Sequence, residues 1–396
     1  MSDDLDLRGI DQRIEPDPQF RAALHSRLAA IVTGTDPGSV TEAPDLAMID
    51  LERASEKRER SRNGRRIARV ILAVAAVVAI IVVATREVEV VTPAAEPSPT
   101  VPVSPLVDIR ARLVNSGNIE LFTVSTDTPR YLGLTSLAVF DGTRWLPLAE
   151  DLRPADGPLA DAPAGSETVV QNISMSKLAG QLAPAARTPT SVVSQGGLSL
   201  QWANTSGTLF VDGGLEPGFK YQVTSADNDP SPDALRQATA NGADPVYYTL
   251  PDSVSNEIRA LAQEVTAQAT TPYDQARALQ DWFRTNFKYS LTVQRGHSND
   301  AMINFLLIKT GYCEQFSGTF AAMARSLGLP TRVVAGFTPG QLRADGLYHV
   351  AGENAHAWDE VWFDGYGWVL FDPTPGRGAP GAEQHTGVAA AQQASP

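Results

Sequence analysis

The C-terminal half of the sequence predicts an α+β fold, in which helices pack on an antiparallel sheet. A β-rich extracellular domain and a single transmembrane helix are predicted before it. Two changes of pattern along the 396 residues support this prediction. From residue 253 apolar residues recur with the helical period, whereas from residue 331 they alternate as in strands. Residues 106–250 contain short β-rich runs that turn signals interrupt.

An apolar run far upstream of both segments predicts the membrane helix. Val70–Ala84 has fifteen residues without a charge, and apolar residues just before it extend the run. A full span needs ~20 apolar residues, with ~17 as the usual lower end. Residues 53–69 carry a net charge of +6. The positive-inside rule therefore predicts that residues 1–66 are cytoplasmic, that 67–85 cross the cell membrane and that the remainder is extracytoplasmic. A buried core helix and the apolar region of a signal peptide are the alternative interpretations, but a signal peptide would begin near residue 1.

The remaining segments are predicted to have little regular structure. Residues 1–66 are expected to be mostly disordered, with one helix at Asp17–Ile31, and the sequence names no partner for them. Residues 86–105 are proline-rich and predict a semi-rigid linker. Residues 151–165 are almost all Pro, Ala, Asp and Gly, which predicts a loop. The tail, 377–396, is predicted to be disordered.

The elements of the C-terminal part follow in order. Helices are predicted at Ser255–Ala267, Pro272–Phe287 and Asp300–Ile308, and from Cys313 or its neighbour to just before Gly328. Strands are predicted at Ile119–Ser125, Tyr131–Phe140, Tyr221–Thr224, Thr331–Phe337, Tyr348–Val350, Ala355–Phe363 and Trp368–Phe371. Thr271 is expected to cap the second helix, with Pro272 at its first position.

Composition excludes several classes of function. The formal net charge is −13, and residues 106–396 alone carry −10, so the basic surface of a nucleic-acid binder is missing and no nucleic-acid partner is expected. A single cysteine excludes an intramolecular disulfide, a cysteine-based zinc site and an iron–sulfur cluster. Asp359 and Glu360 are adjacent, but no ligand spacing around them supports a metal. We therefore expect neither a metal nor a cofactor.

The only cysteine, Cys313, opens an apolar-periodic helix after Gly311 and Tyr312. The N-terminus of a helix carries free N–H groups and a partial positive charge, which stabilise a thiolate. The same N–H groups can hold the oxyanion of a tetrahedral intermediate. Cys313 is therefore a candidate nucleophile, and an inert cysteine packed as a small apolar residue is the alternative.

A thiolate nucleophile needs a base, and five histidines are available. His356 lies in a predicted strand, where it shares one face with Trp358 and Glu360. His349 lies beside a Gly/Asp loop and fits a satisfied or exposed polar residue. The other three histidines lie before the membrane helix, in a Gly/Ser/Asn loop and in the tail. His356 is therefore the candidate base.

The base in turn needs a group that orients it, and Asp372 ends the strand that follows. The short turn of residues 364–367 predicts an antiparallel pair, with residue 360 near residue 371. Asp372 can then reach the imidazole of His356. A plain turn aspartate before a proline is the alternative for Asp372.

These residues resemble a known family. The segments GYCEQFSGTFAAMARSLGLPTRVVAGF and HAWDEVWFDGYGWVLFDPTP closely resemble the core of the transglutaminase-like superfamily, over about residues 250–376. The resemblance implies a papain-like core in which Cys313 is the nucleophile, His356 the base and Asp372 the orienting residue. The upstream segment PLVDIRARLVNSGNIELFTVSTDTPRYLGLTSLAVFDGTRWLPL is similar to the extracellular region of actinobacterial membrane proteins of the TgpA type. Proteins of that type usually carry several membrane helices, whereas this sequence predicts one.

The resemblance implies a membrane-anchored cysteine acyltransferase. It would form a thioester from a peptide or protein amide, and an amine or water would then resolve that thioester. One alternative is an extracytoplasmic cysteine peptidase or amidase that acts on cell-envelope peptides. The other is a non-catalytic binding module, because the superfamily includes members without the triad.

Overall fold

The computed structural model describes residues 117–392, except 164, 197, 294, 295 and 297. Among these described residues, no helix is both long enough and apolar enough to cross a membrane. The segments that lie outside them are the predicted helix at Asp17–Ile31, the predicted transmembrane helix at 67–85 and the predicted linker at 86–105.

The predicted helices of the C-terminal part are confirmed to within two residues at each end. The α-helices of the described residues are α1 Pro232–Gln237, α2 Asn256–Val265, α3 Pro272–Asn286, α4 Asn299–Ile308, α5 Cys313–Ser326 and α6 Glu383–Thr386. The cap of α3 forms as expected, because the Thr271 hydroxyl accepts a hydrogen bond from the N–H of Asp274 at 3.1 Å. The chain leaves α4 through Lys309, whose φ of 50° ends the helix.

The strands form two large sheets and two smaller ones. In chain order they are β1 Glu120–Ser125, β2 Leu132–Phe140, β3 Trp145–Pro147, β4 Leu152–Pro154, β5 Gly157–Pro158, β6 Glu167–Met175, β7 Leu182–Ala183, β8 Pro189–Ser194, β9 Leu200–Ala203, β10 Thr208–Val211, β11 Lys220–Asp227, β12 Lys288–Tyr289, β13 Thr310–Gly311, β14 Thr331–Phe337, β15 Gln341–Leu342, β16 Tyr348–Ala351, β17 Ala355–Phe363 and β18 Gly367–Phe371.

The sheet that carries the candidate base is antiparallel, in the order β18-β17-β14-β2-β3. The central strand, β14, pairs with β17 along its whole length, and all of its residues are buried. Helix α5 packs against β17 and β14. The expected arrangement of helices on an antiparallel sheet is therefore confirmed.

The two segments on either side of residue 250 share their sheets. Strands β2 and β3 come from the early segment but complete the five-stranded sheet of the late one. Conversely, β15 and β16 of the late segment join a seven-stranded sheet whose other strands come from the early segment. Its order is β15-β16-β1-β6-β11-β8-β5. A four-stranded sheet, β4-β9-β10-β7, packs beside β2.

Two segments that were predicted to be irregular are ordered. The predicted loop of residues 151–165 contains β4 and β5, which pair with β9 and β8 at the edges of their sheets. The predicted disordered tail is wrong for residues 377–392, which include α6 and the buried His385. The ring of His385 lies 2.5 Å from the Asp229 carboxylate and 2.7 Å from the Leu370 carbonyl. Both partners are distant in sequence, so composition could not reveal these contacts.

The register of the last hairpin differs by one residue from the predicted one. Glu360 pairs with Leu370 rather than with residue 371, because Gly367 is already paired with Phe363 and the loop has only three residues. A shift of one residue moves a side chain to the other face of a sheet. The observed register places Asp372 on the face of β17 that carries His356.

The close packing of β14 against β2 and Trp358 can be tested at Gly336. A Cβ at this position would lie 2.1 Å from the carbonyl oxygen of Leu132 and 2.8 Å from the ring of Trp358. We expect Gly336→Ala to lower the free energy of unfolding by about 1–3 kcal/mol or more, as overpacked core substitutions do, measured by urea unfolding. The control is Gly133→Ala on the paired strand, where the nearest atom is 3.4 Å away. Equal stability of the two variants would contradict the packing described for Trp358.

Candidate active site

Cys313 is the first residue of α5, as predicted, and its side chain is 1% exposed. Gly311, two residues before it, allows the chain to approach α4 closely. A Cβ there would lie 2.5 Å from the ring of Phe305. The sulfur therefore lies at the positive end of a helix, in the interior of the protein.

The surroundings of the thiol oppose its ionisation. Burial raises the pKa of Cys313 to about 12, and the adjacent Glu314 carboxylate acts in the same direction. The backbone N–H of Ala357 and the guanidinium of Arg377 favour the thiolate without offsetting burial. The helix N-terminus was expected to favour the thiolate, but desolvation is the larger effect. The resting sulfur is therefore a neutral thiol at neutral pH, and a base has to remove its proton.

The structure brings His356 and Asp372 together. The Nε2 atom of His356 lies 2.8 Å from Oδ2 of Asp372, and both side chains are buried. Burial lowers the pKa of His356, which the charge of Asp372 opposes only in part. Burial alone would raise the pKa of Asp372, but the imidazole of His356 brings it down to about 2. At neutral pH the pair is therefore an ionised carboxylate and a neutral imidazole. Because Nε2–H donates to Asp372, Nδ1 remains to accept a proton.

Other elements complete the environment of Asp372. The hydroxyl of Tyr131, just before β2, donates to Oδ2 at 2.9 Å, and the N–H of Thr374 donates to Oδ1 at 3.0 Å. From α3, Arg284 donates to the Asp372 carbonyl at 3.0 Å, and Gln280 accepts from the Asp372 N–H at 3.3 Å. Sequence reasoning did not find Tyr131, which lies 241 residues from Asp372 and showed no signal beyond its place in a predicted strand.

Aromatic rings fix the imidazole. Tyr131 meets the ring of His356 edge-on, with centroids 5.5 Å apart and an interplanar angle of 85°. The ring of Trp358 is stacked on the same imidazole, with centroids 6.2 Å apart and an interplanar angle of 25°. Trp358 is buried beside the candidate base. The ring of His356 is therefore held from two sides as well as by Asp372.

The other candidates of the sequence analysis lie elsewhere. Both ring nitrogens of His349 bind carboxylates, Glu120 at 2.5 Å and Asp345 at 2.9 Å, so it is a satisfied polar residue as predicted. His25 and His297 are outside the described residues.

The adjacent acids of β17, Asp359 and Glu360, are both buried. Glu360 pairs with Arg332 at 2.7 Å. Across the part of the chain that the structure describes, no three His, Cys, Asp or Glu side chains are grouped to hold a metal ion.

The sequence matches two protein-family models, and these matches define the class of protein. Residues 259–373, which include Cys313, His356 and Asp372, match the family model of the transglutaminase-like superfamily. Residues 28–232, more than half of the chain, match the model of the TgpA N-terminal domain. The chain therefore belongs to the TgpA type of transglutaminase-like proteins.

Two relatives share part of the sequence. A protein-glutamine gamma-glutamyltransferase of Pseudomonas aeruginosa is 34% identical over 167 residues, which are 40% of this chain and 24% of that protein. The uncharacterized protein YebA of Bacillus subtilis is 36% identical over 140 residues, 33% of this chain and 19% of that protein. The shared part thus spans about a fifth to a quarter of the length of these relatives.

Two solved structures share the fold. The periplasmic domain of TgpA from Pseudomonas aeruginosa, bound to ethylmercury, has 25% identity and a TM-score of 0.53, and the match covers 69% of this chain and 94% of that one. A second structure of the same domain has 24% identity and a TM-score of 0.52, and covers 72% and 94%. These matches support an α+β core that follows a β-rich N-terminal domain.

The protonation state of the thiol can be measured directly, because Cys313 is the only cysteine. We expect alkylation of the folded chain by iodoacetamide to be slow at pH 7 and to rise continuously above pH 9, since burial raises the pKa of the thiol to about 12. The same chain unfolded in guanidinium is the control, with an ordinary pKa of about 8.5. An apparent pKa of the folded thiol below that of the unfolded control, lost in His356→Ala, would show a resting thiolate–imidazolium pair instead.

The bond from Tyr131 to Asp372 predicts a pH-dependent contribution to stability. We expect Tyr131→Phe to lower the free energy of unfolding by about 1.5–3 kcal/mol at pH 7, as for hydrogen bonds to charged groups. The low pKa of Asp372 stabilises the fold above the unfolded value of about 3.9, and this contribution is lost as the pH falls through about 2. The difference between wild type and variant should therefore narrow as the pH falls below about 4, measured by urea unfolding. Tyr221→Phe, which loses a bond to the neutral Pro184 carbonyl, is the control with a constant difference. An equally constant difference for Tyr131→Phe would contradict the bond to an ionised carboxylate.

Proposed function

We propose that this chain is a membrane-anchored, extracytoplasmic cysteine acyltransferase that acts on peptide or protein amides. Two observations together carry the proposal. The thiol of Cys313 lies at the N-terminus of α5. In the sheet against which α5 packs, His356 of β17 and Asp372, just after β18, form a pair at 2.8 Å. The Pseudomonas relative named as a gamma-glutamyltransferase and the periplasmic location of the matching TgpA domain support the chemistry and the location. The predicted membrane helix at 67–85 supports the anchor.

The first half of the reaction forms a thioester. Nδ1 of His356 takes the proton of the Cys313 thiol while the sulfur attacks the carbonyl carbon of the amide. The carbonyl electrons move to oxygen, and the backbone N–H of Cys313 donates to this oxyanion. When the C–N bond breaks, His356 gives its proton to the departing nitrogen, so that ammonia or an amine leaves and the acyl group remains on sulfur.

The second half releases the acyl group. An amine or a water molecule attacks the thioester and gives its proton to His356, and the sulfur leaves and is protonated again. An amine yields a new amide, whereas water yields a carboxylic acid. Throughout both halves Asp372 stays ionised, because its pKa is about 2, and it stabilises the imidazolium.

Activity of the full chain tests this proposal. With a blocked glutaminyl peptide and a primary amine, the wild type should release ammonia and incorporate the amine, measured by an ammonia assay and by mass spectrometry. Cys313→Ala should abolish both and change the stability by only ~1 kcal/mol. Asp372→Asn should stay folded and lose on the order of 10⁴-fold in rate. His349→Gln is a matched control for His356→Gln and should retain activity.

The outcomes separate the candidate functions. Release of ammonia without incorporation of the amine would assign a hydrolase or amidase and contradict acyl transfer. No product from wild type would favour the non-catalytic binding module. An unchanged rate in Asp372→Asn would remove Asp372 from the mechanism.

A further inference from the structure

Arg377 is a buried cation without a carboxylate partner among the described residues. Its side chain is 5% exposed, and its Nε and Nη1 atoms have no hydrogen-bond partner. Its Nη2 atom donates one long bond, 3.4 Å, to the backbone carbonyl of Glu353. The buried arginine Arg332, by contrast, pairs with Glu360 at 2.7 Å. Arg325 is also buried without an anion, but its donors all meet backbone carbonyls. Arg377 therefore differs from both arginines, because it has neither an anion nor acceptors for its Nε and Nη1 atoms.

The position of Arg377 relates it to both halves of the candidate site. It follows Asp372 by five residues, and its bond to Glu353 fixes it beside the turn that leads into β17 and His356. On the other side it acts on the hydroxyl of Tyr289 in β12, which pairs with β13 immediately before Cys313. Its charge also acts on Cys313 and on His356. The charge of the guanidinium therefore reaches both halves of the candidate site.

Within the part of the chain that the structure describes, no carboxylate forms an ion pair with Arg377. The nearest candidate in sequence is Asp372, whose carboxylate already accepts from His356, Tyr131 and the Thr374 N–H. Leaving a buried cation unpaired is costly, and a planar guanidinium pairs bidentately with a carboxylate or a phosphate. Of these two groups, a peptide substrate carries the carboxylate. The oxyanion of the reaction already has the N-terminus of α5 as a donor. A separate negative group on a substrate is the candidate for the missing anion.

We propose that Arg377 binds a carboxylate of the acyl donor, next to the amide that Cys313 attacks. Arg377 would then be the specificity residue that selects amides with a neighbouring free carboxylate over uncharged ones. This inference rests on the proposed function, since it assigns the substrate class of the same site. It adds no covalent step to the reaction.

Binding to an inactive variant tests the inference without requiring turnover. The probes are N-acetylglutamine, which has a free α-carboxylate, and N-acetylglutaminamide, which has none. Calorimetry with the full chain carrying Cys313→Ala should show roughly 10- to 100-fold tighter binding of the carboxylate, in keeping with charge-assisted hydrogen bonds. Adding Arg377→Gln should abolish this preference, and Arg377→Lys should keep part of it. Arg236→Gln, on the surface of α1, is the control that should leave the preference unchanged.

The outcomes distinguish this inference from the proposed function. A preference for the carboxylate that depends on Arg377 would support Arg377 as a carboxylate site. If the wild type nevertheless showed no turnover, the proposed acyltransferase activity would be contradicted while the inference on Arg377 would stand. Equal binding of the two probes, or no binding of either, would overturn the inference whatever the activity. In the active chain, an equal loss of kcat for both donors in Arg377→Gln and Arg377→Lys would assign Arg377 to the oxyanion and also overturn it.

Discussion

The buried negative charge of Asp372 is the constraint on which the rest of this structure depends. An unpaired carboxylate in a protein interior costs several kcal/mol, so a fold that buries one has to supply donors from wherever they are available. Here they come from β17, from the residue before β2 and from the loop after β18, while α3 holds the backbone. The position of each of these elements is thereby tied to that of the others. The same arrangement fixes the orientation of the His356 imidazole.

This constraint explains why the early β-rich segment and the late α+β segment are not separable in the structure. Two family models match the two segments, but the sheets run across both. Arg325, at the end of α5, shows the same dependence. Its guanidinium donates to the carbonyls of Ala138 in β2, of Val246 and Thr249 before α2, and of Thr331 in β14. Burial lowers the pKa of Arg325 to about 9, and these carbonyls replace the water that the buried charge has lost. Without the early segment, both Asp372 and Arg325 would lose partners.

The electrostatics of the site follow from burial more than from the helix dipole. The N-terminus of α5 favours a negative sulfur, but a side chain that is 1% exposed loses far more hydration than the helix end returns. The three candidate residues at rest are then a neutral thiol, a neutral imidazole and an ionised carboxylate. In the proposed reaction, proton transfer from Cys313 to His356 would therefore accompany the attack of the sulfur rather than precede it. In the proposed reaction, a buried site of this kind would also disfavour water as the competing acyl acceptor.

The sequence by itself determined those features that neighbouring residues encode. The cap of α3 at Thr271, the start of α5 at Cys313 and the limits of β14 and β17 follow from turn chemistry and apolar periodicity, which act over a few residues. These features, together with the family resemblance, were sufficient to select Cys313, His356 and Asp372 as candidate site residues. What only the tertiary structure decided are the contacts between distant segments. They include the register that turns Asp372 toward His356, the ordering of residues 377–392 and the bond from Tyr131 across 241 residues. Local patterns carry no information about such contacts, because a hydrogen bond between distant residues depends on where the whole chain places its donors and acceptors.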